Sequence, residues 1–117
     1  NVHRQWAPIN ATVIQTSYNP GKFFGAFKNK ASEKNEQTSI LFCDEHKNQF
    51  KIKQIAGFVA RRIVNHMNPN LDVLKGEKIG FIKFGSRVDI IVPENFKVKV
   101  KKGMKVISCK TVIGTYL

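Results

Sequence analysis

A chain of 117 residues is long enough for one domain with a packed core and too short for two of ordinary size. Twenty Lys and Arg against eight Asp and Glu leave a formal net charge of +12, which favours an anionic partner such as phospholipid headgroups or nucleic acid. No apolar run, Ile90 to Pro93 among them, approaches the roughly 18 consecutive residues of a membrane-spanning helix.

The sequence opens on Asn1 with no targeting pattern over residues 1–8, and reads as a partial chain forming a single domain, 1–117. Cys43 and Cys109 are far apart and have neither CxxC nor Cys/His spacing, so they are expected to be free thiols in a reducing compartment, of a residue type often found buried. His3, His46 and His66 are too scattered to propose a metal site.

Short segments rich in Val, Ile and Phe, separated by turn residues, predict strands near 10–17, 38–43, 49–54, 57–64, 78–84, 87–92, 96–101 and 111–116. Within the seventh, lysines at 97, 99 and 101 alternate with Val98 and Val100, which predicts a half-buried strand with its lysines in solvent. Turns are expected at Asn19-Pro20-Gly21, Asn68-Pro69-Asn70, Lys75-Gly76-Glu77 and Lys102-Gly103. The polar run 31–37 reads either as a single helical turn or as a solvated loop. Residues 75–79 and 102–106 echo each other as tight turns entering apolar strands. The expected architecture is an all-β sandwich with little or no helix, resembling the barrel-sandwich hybrid of biotinyl and lipoyl carrier domains.

One segment carries chemistry. Gly85-Ser86 lies between two apolar strand-like stretches, where Gly85 can take backbone angles that other residues resist. Strain at such a peptide lets the serine hydroxyl attack the preceding carbonyl. The N-to-O acyl shift gives an ester, elimination cuts the chain to leave dehydroalanine, and hydrolysis yields a pyruvoyl group. Its ketone forms a Schiff base with a substrate amine and serves as the electron sink for loss of CO2. A lone Gly-Ser pair is weak evidence and is ordinarily a turn.

Context raises it. Phe84-Gly85-Ser86-Arg87-Val88-Asp89 resembles the cleavage motif of the compact bacterial phosphatidylserine decarboxylases. The resemblance runs along the chain through Val2-His3, Ala7-Pro8, Tyr18-Asn19-Pro20-Gly21-Lys22-Phe23-Phe24, Lys30-Ala31-Ser32, Asn35-Glu36, Gln54-Ile55-Ala56-Gly57, Ala60-Arg61-Arg62-Ile63-Val64, Gly76 and Gly80. Several spaced motifs in the right order are far more specific than any one of them.

The resemblance implies a pyruvoyl-dependent lyase that decarboxylates phosphatidylserine to phosphatidylethanolamine after self-cleavage between Gly85 and Ser86, with the two pieces remaining associated. It implies His3 as the proton-handling residue, a role suited to a pKa near working pH. Larger members have a second histidine three positions later, associated with self-cleavage, where this sequence has Trp6. The family also carries an aspartate upstream of the region seen here. Its role is not transferred to Asp89, which is expected to pair with a basic neighbour.

Arg61 and Arg62 point to opposite faces of a strand, and Arg62 is preferred as the fork for the substrate's phosphodiester or carboxylate, against a solvated-surface reading of both. Phe23, Phe24 and Phe27 suit core packing or acyl chains. Lys97, Lys99, Lys101, Lys102 and Lys105 form a basic strand and turn suited to solvent or to an anionic membrane surface. The implied setting is the cytoplasmic face of a cell membrane, peripherally bound, with no nucleic-acid partner and with a homodimer suggested by the family alone. Two alternatives stay open on the residues: a basic β-domain binding nucleic acid through its nine Phe, and a lipoyl or biotin carrier modified at Lys83.

Overall fold

The computed structural model describes residues 4–21, 35–57, 63–83 and 87–117, which form ten β-strands and, among those residues, no helix. The strands are β1 (Arg4–Trp6), β2 (Ala11–Asn19), β3 (Gln37–Cys43), β4 (Gln49–Ile55), β5 (Ile63–Asn65), β6 (Asp72–Val73), β7 (Lys78–Ile82), β8 (Arg87–Ile91), β9 (Phe96–Val98) and β10 (Gly114–Tyr116). Five run in one antiparallel sheet ordered β6-β2-β3-β4-β8, three in a second ordered β1-β7-β5, and β9 pairs with β10. The all-β expectation holds.

The period-2 pattern builds the larger sheet. Thr38, Ile40 and Phe42 alternate inward on β3, opposite Gln54, Ile52 and Phe50 of β4. The Phe42 and Phe50 rings stack at 4.9 Å between centroids. Ala7, Ala11, Val13, Met67, Val73 and Ile79 complete the buried cluster. Full burial of each large side chain stabilises the fold by about 1.5–3 kcal/mol.

Turn chemistry follows the sequence closely. Gly76 and Gly103 both take φ +88°, in turns closed by Glu77 N–H donating to the Leu74 carbonyl and Met104 N–H to that of Lys101. Asn70 lies at φ +72°, and Gly21 N–H donates to the Asn19 side chain. The echo between the two glycine turns stops there, because residues 104–107 enter no strand.

Other expectations need correction. Strand 96–101 shortens to β9, and Val98 is 57% exposed: among the described residues no second sheet layer covers the valine side of the β9–β10 ribbon. Strand 111–116 shortens to β10. Of strand 57–64, Gly57 is not in a strand, residues 58–62 lie outside the described residues, and Ile63 and Val64 fall in β5. Strands β1 and β6 went unforeseen because two or three residues show no periodicity. In the run 31–37, residues 31–34 lie outside the described residues, Asn35 and Glu36 are not helical, and Gln37 opens β3. Both cysteines are free, but Cys43 is half-buried and Cys109 exposed.

At the β3–β4 turn, burial by itself would raise the Asp44 carboxyl. Donation from the backbone and side-chain N–H groups of Asn48 and the backbone N–H of His46 outweighs it and holds the carboxyl below its ordinary value. A depressed carboxyl contributes stability above its unfolded pKa that is lost as pH falls through the folded one. Hydrogen exchange at the His46 and Asn48 amides, corrected for intrinsic rates, should therefore lose protection below about pH 4 while amides of β3 and β4 keep theirs.

Gly80 on β7 lies against β5 of its own sheet and against Gln54 of the larger one. A Cβ there would lie 2.1 Å from the Val64 carbonyl oxygen and 2.7 Å from the Gln54 side-chain nitrogen. Gly80→Ala should cost at least the roughly 3 kcal/mol at the upper end of overpacking, read as a drop in the denaturation midpoint with an unchanged m-value.

Candidate active site

Sheet register assembles the site. Arg4 at the start of β1 pairs with Phe81, and Ile63 at the start of β5 pairs with Ile82, so the beginnings of β1 and β5 flank the end of β7. In the larger sheet Ile55, at the end of β4, pairs with Gln37 at the start of β3 and with Arg87 at the start of β8. Lys83 to Ser86 link β7 to β8, and the step from Ile82 to Arg87 spans at most about 18 Å.

These ends carry the residues singled out in the sequence. His3 is bonded to Arg4, Arg62 to Ile63 and Ser86 to Arg87, while Gly85 precedes Ser86. All four lie outside the described residues, as do Arg61, Phe23, Phe24 and Phe27. What the described strands establish is that the attachment points of His3, Arg62 and Ser86 share one end of the two sheets.

At that end the interior turns polar. Asn35, Glu36, Gln37, Thr38 and Gln54 are all buried. The Gln54 side-chain nitrogen donates to Gln5 Oε1 of β1 at 2.9 Å and to the Val64 carbonyl of β5 at 3.3 Å, so one amide ties both flanks of the smaller sheet to the larger. Asn35 Nδ2 donates to the Ala56 carbonyl at 2.8 Å, and Ala56 N–H to the Glu36 carbonyl at 2.9 Å. The Glu36 carboxylate accepts a 2.5 Å bond from the Tyr18 hydroxyl. Glu36 Oε1 and Gln54 Oε1 are buried with no hydrogen-bond partner among the described residues.

Sequence reasoning gave Gln54 and Glu36 no function. A signal existed: Gln54 stands at the inward parity of Phe50 and Ile52, where a polar side chain must earn its place through partners.

Arg87 and Asp89 form a bidentate pair, Nε to Oδ1 at 2.8 Å and Nη2 to Oδ2 at 3.1 Å, as expected of Asp89. Trp6 is half-buried and lines an apolar groove of about 880 Å³, walled also by Ile9, Val88, Ile90, Ile107 and Val112, with Arg4 and Lys110 among its basic lining residues. Arg4 and Val88 place one part of the groove beside the converging strand ends.

The phosphatidylserine decarboxylase family model matches residues 1–114. The chain belongs to the phosphatidylserine decarboxylase family. A phosphatidylserine decarboxylase proenzyme from Chlorobium phaeobacteroides is 43% identical over 116 residues, covering 99% of this chain and 54% of the relative. One from Wolbachia pipientis is 42% identical over 114 residues, 97% of this chain and 50% of the relative. A Methanosarcina mazei relative named as a candidate archaetidylserine decarboxylase proenzyme is 41% identical over 115 residues, 98% of this chain and 54% of its own length. The chain thus spans about half the length of these relatives. No solved structure matches it.

Within this decarboxylase family member, Gln54 is the described side chain that holds the site-bearing ends of the two sheets together. Gln54→Leu should lower stability by about 1–3 kcal/mol in chemical denaturation, the cost of removing a buried hydrogen-bonded group and orphaning its partners.

Proposed function

We propose that this chain carries the self-processing and decarboxylating site of a phosphatidylserine decarboxylase, with Gly85-Ser86 as the scissile pair. The observation that carries the reading is that this pair joins strands of two different sheets, at the end where the attachment points of His3 and Arg62 also lie.

In maturation the Ser86 hydroxyl attacks the Gly85 carbonyl carbon, and the Gly85–Ser86 amide becomes an ester. Loss of the Ser86 α-proton expels the Gly85 carboxylate and leaves dehydroalanine at 86, whose hydrolysis releases ammonia and yields the pyruvoyl terminus. That group supplies a ketone able to take up the substrate's amine and accept the electron pair left when CO2 departs.

The fold suits a cut at this bond. On one side β7 is held by β1 and β5. On the other, β8 pairs with β4 through five residues, Arg87 to Ile91, and Val92 packs on the core. Farther along, Asn95 donates to Asn48 and Tyr116 to the Gln49 carbonyl. Pieces 1–85 and 86–117 therefore stay joined by ladder and core without the covalent link.

The remaining roles follow the chemistry of the residues. His3 exchanges the proton that decarboxylation requires. Arg62 offers its fork to the phosphodiester or carboxylate. The groove beside β1 and β8, apolar with cationic side chains in its wall, suits the acyl part of a lipid and lies within the usual volume range of ligand sites. Lys97, Lys99, Lys101, Lys102 and Lys105 are all exposed and suit a peripheral position on an anionic leaflet at the cytoplasmic face.

Intact mass under denaturing conditions tests the reading. The full-length protein should give two fragments broken between Gly85 and Ser86, the smaller bearing a pyruvoyl terminus, and the fragments should co-elute under native conditions. Ser86→Ala should give one uncut chain with no lipid turnover. A full-length wild-type protein that stays uncut overturns the mechanism.

A further inference from the structure

Among the described residues, the polar end of the interior holds two acceptors that no donor satisfies. Glu36 is 4% exposed and Gln54 fully buried. Gln54 spends its amide nitrogen on Gln5 and the Val64 carbonyl, which fixes the orientation of the amide and leaves Oε1 as the open atom. Glu36 has one carboxylate oxygen on Tyr18, while the other has no partner among the described residues.

The two side chains lie on one face. Glu36 follows the register of β3 by pairing with Ala56, and Gln54 pairs with Thr38, so Glu36 and Gln54 are diagonal neighbours on the inward side, about 7–8 Å apart at the backbone. The next strand meets them there: Val88 pairs with Gln54 and Arg87 with Ile55, immediately beyond Ser86.

A ligand for this pair must donate hydrogen bonds and carry positive charge, because both open atoms accept and one belongs to a carboxylate. A phosphate or carboxylate is excluded by sign. A primary ammonium fits, having three donors and no acceptor, and two side chains spaced diagonally can converge on a single nitrogen.

We propose that Glu36 and Gln54 form the subsite that receives the primary ammonium of the lipid headgroup, holding it beside the Ser86 segment and selecting amine-bearing lipids over those without an amine. The proposal rests on the decarboxylase reading above and adds to it the residues that recognise the amine. Tyr18 is a positioning residue, since its hydroxyl holds the carboxylate through Oε2 and leaves Oε1 for the ligand.

The test uses full-length protein carrying Ser86→Ala, which keeps the chain uncut and makes binding separable from turnover. The probes are soluble short-chain phosphatidylserine and the same lipid with its amine acetylated, compared by calorimetry. The Ser86→Ala protein should prefer the free amine by about tenfold or more, a difference of about 1.4 kcal/mol. Adding Glu36→Gln should abolish that preference, and Glu36→Asp, which retains the charge, should restore part of it.

Equal binding of the two lipids by the Ser86→Ala protein overturns the proposal whether or not any Glu36 variant folds. A folded Glu36→Gln protein that keeps the full preference overturns it as well, and would mark Glu36 as the partner of a basic side chain of the protein itself. Self-cleavage of the wild-type protein is scored separately by mass. Normal cleavage with no amine preference sinks this subsite and leaves the decarboxylase reading standing, whereas absent cleavage sinks that reading.

Discussion

Two layers of β-structure could slide past one another if only apolar side chains lay between them, because hydrophobic contact has little directionality. Here an amide fixes the alignment. Gln54 sits on the central strand pair of the larger sheet and donates to β1 on one flank of the smaller sheet and to β5 on the other. Those two strands begin one residue after His3 and Arg62, and β8, which follows Ser86, pairs with the strand that carries Gln54. The alignment of three separate stretches of chain thus depends on one buried side chain, and Gly80 gives it the room to reach across.

The interior is graded along its length. Phe42, Phe50, Ile40 and Ile52 make an apolar body, and the same inward positions one and two steps farther along hold Thr38, Gln54 and Glu36. Buried polar groups are costly unless satisfied, so a graded core places its least stabilising part where chemistry is needed. The apolar end supplies the folding free energy that a polar end subtracts. This is a common division of labour, in which a functional site is carried at the expense of local stability.

Much of this was legible in the residues. Alternation located β2, β3, β4, β7 and β8 to within a residue or two; in β3, β4 and β7 a buried face imposes the period, whereas no residue of β8 is buried. Glycine and asparagine marked the turns, since positive φ selects for them, as Gly76 and Asn70 show. The ribbon of Lys97 to Lys101 misled because alternation reports what a strand offers, not whether a second layer is present to cover it. At Ser86 the local signal was a weak one, a Gly-Ser pair between apolar stretches that the family resemblance raised, and His3 was pointed to by the resemblance alone. Gln54 and Glu36 were overlooked for a different reason: their importance lies in contacts with Gln5, Val64 and Tyr18, separated from them by 10 to 49 positions, which only the folded chain displays.

The pairing of β8 along β4 has a further consequence. If the bond between 85 and 86 is cut as proposed, the ladder would become an intermolecular interface, with the strand joined to its sheet only by hydrogen bonds and packing. From that moment the fold is a complex of two chains and its stability obeys mass action. Dilution then favours dissociation where it had no effect on the uncut precursor. Refolding changes from a first-order to a second-order event, with the lost chain connectivity setting an entropic cost that the precursor never met. A protein cut in this way would fold once as a single chain and thereafter persist by the slowness with which β4 lets go of its edge strand β8.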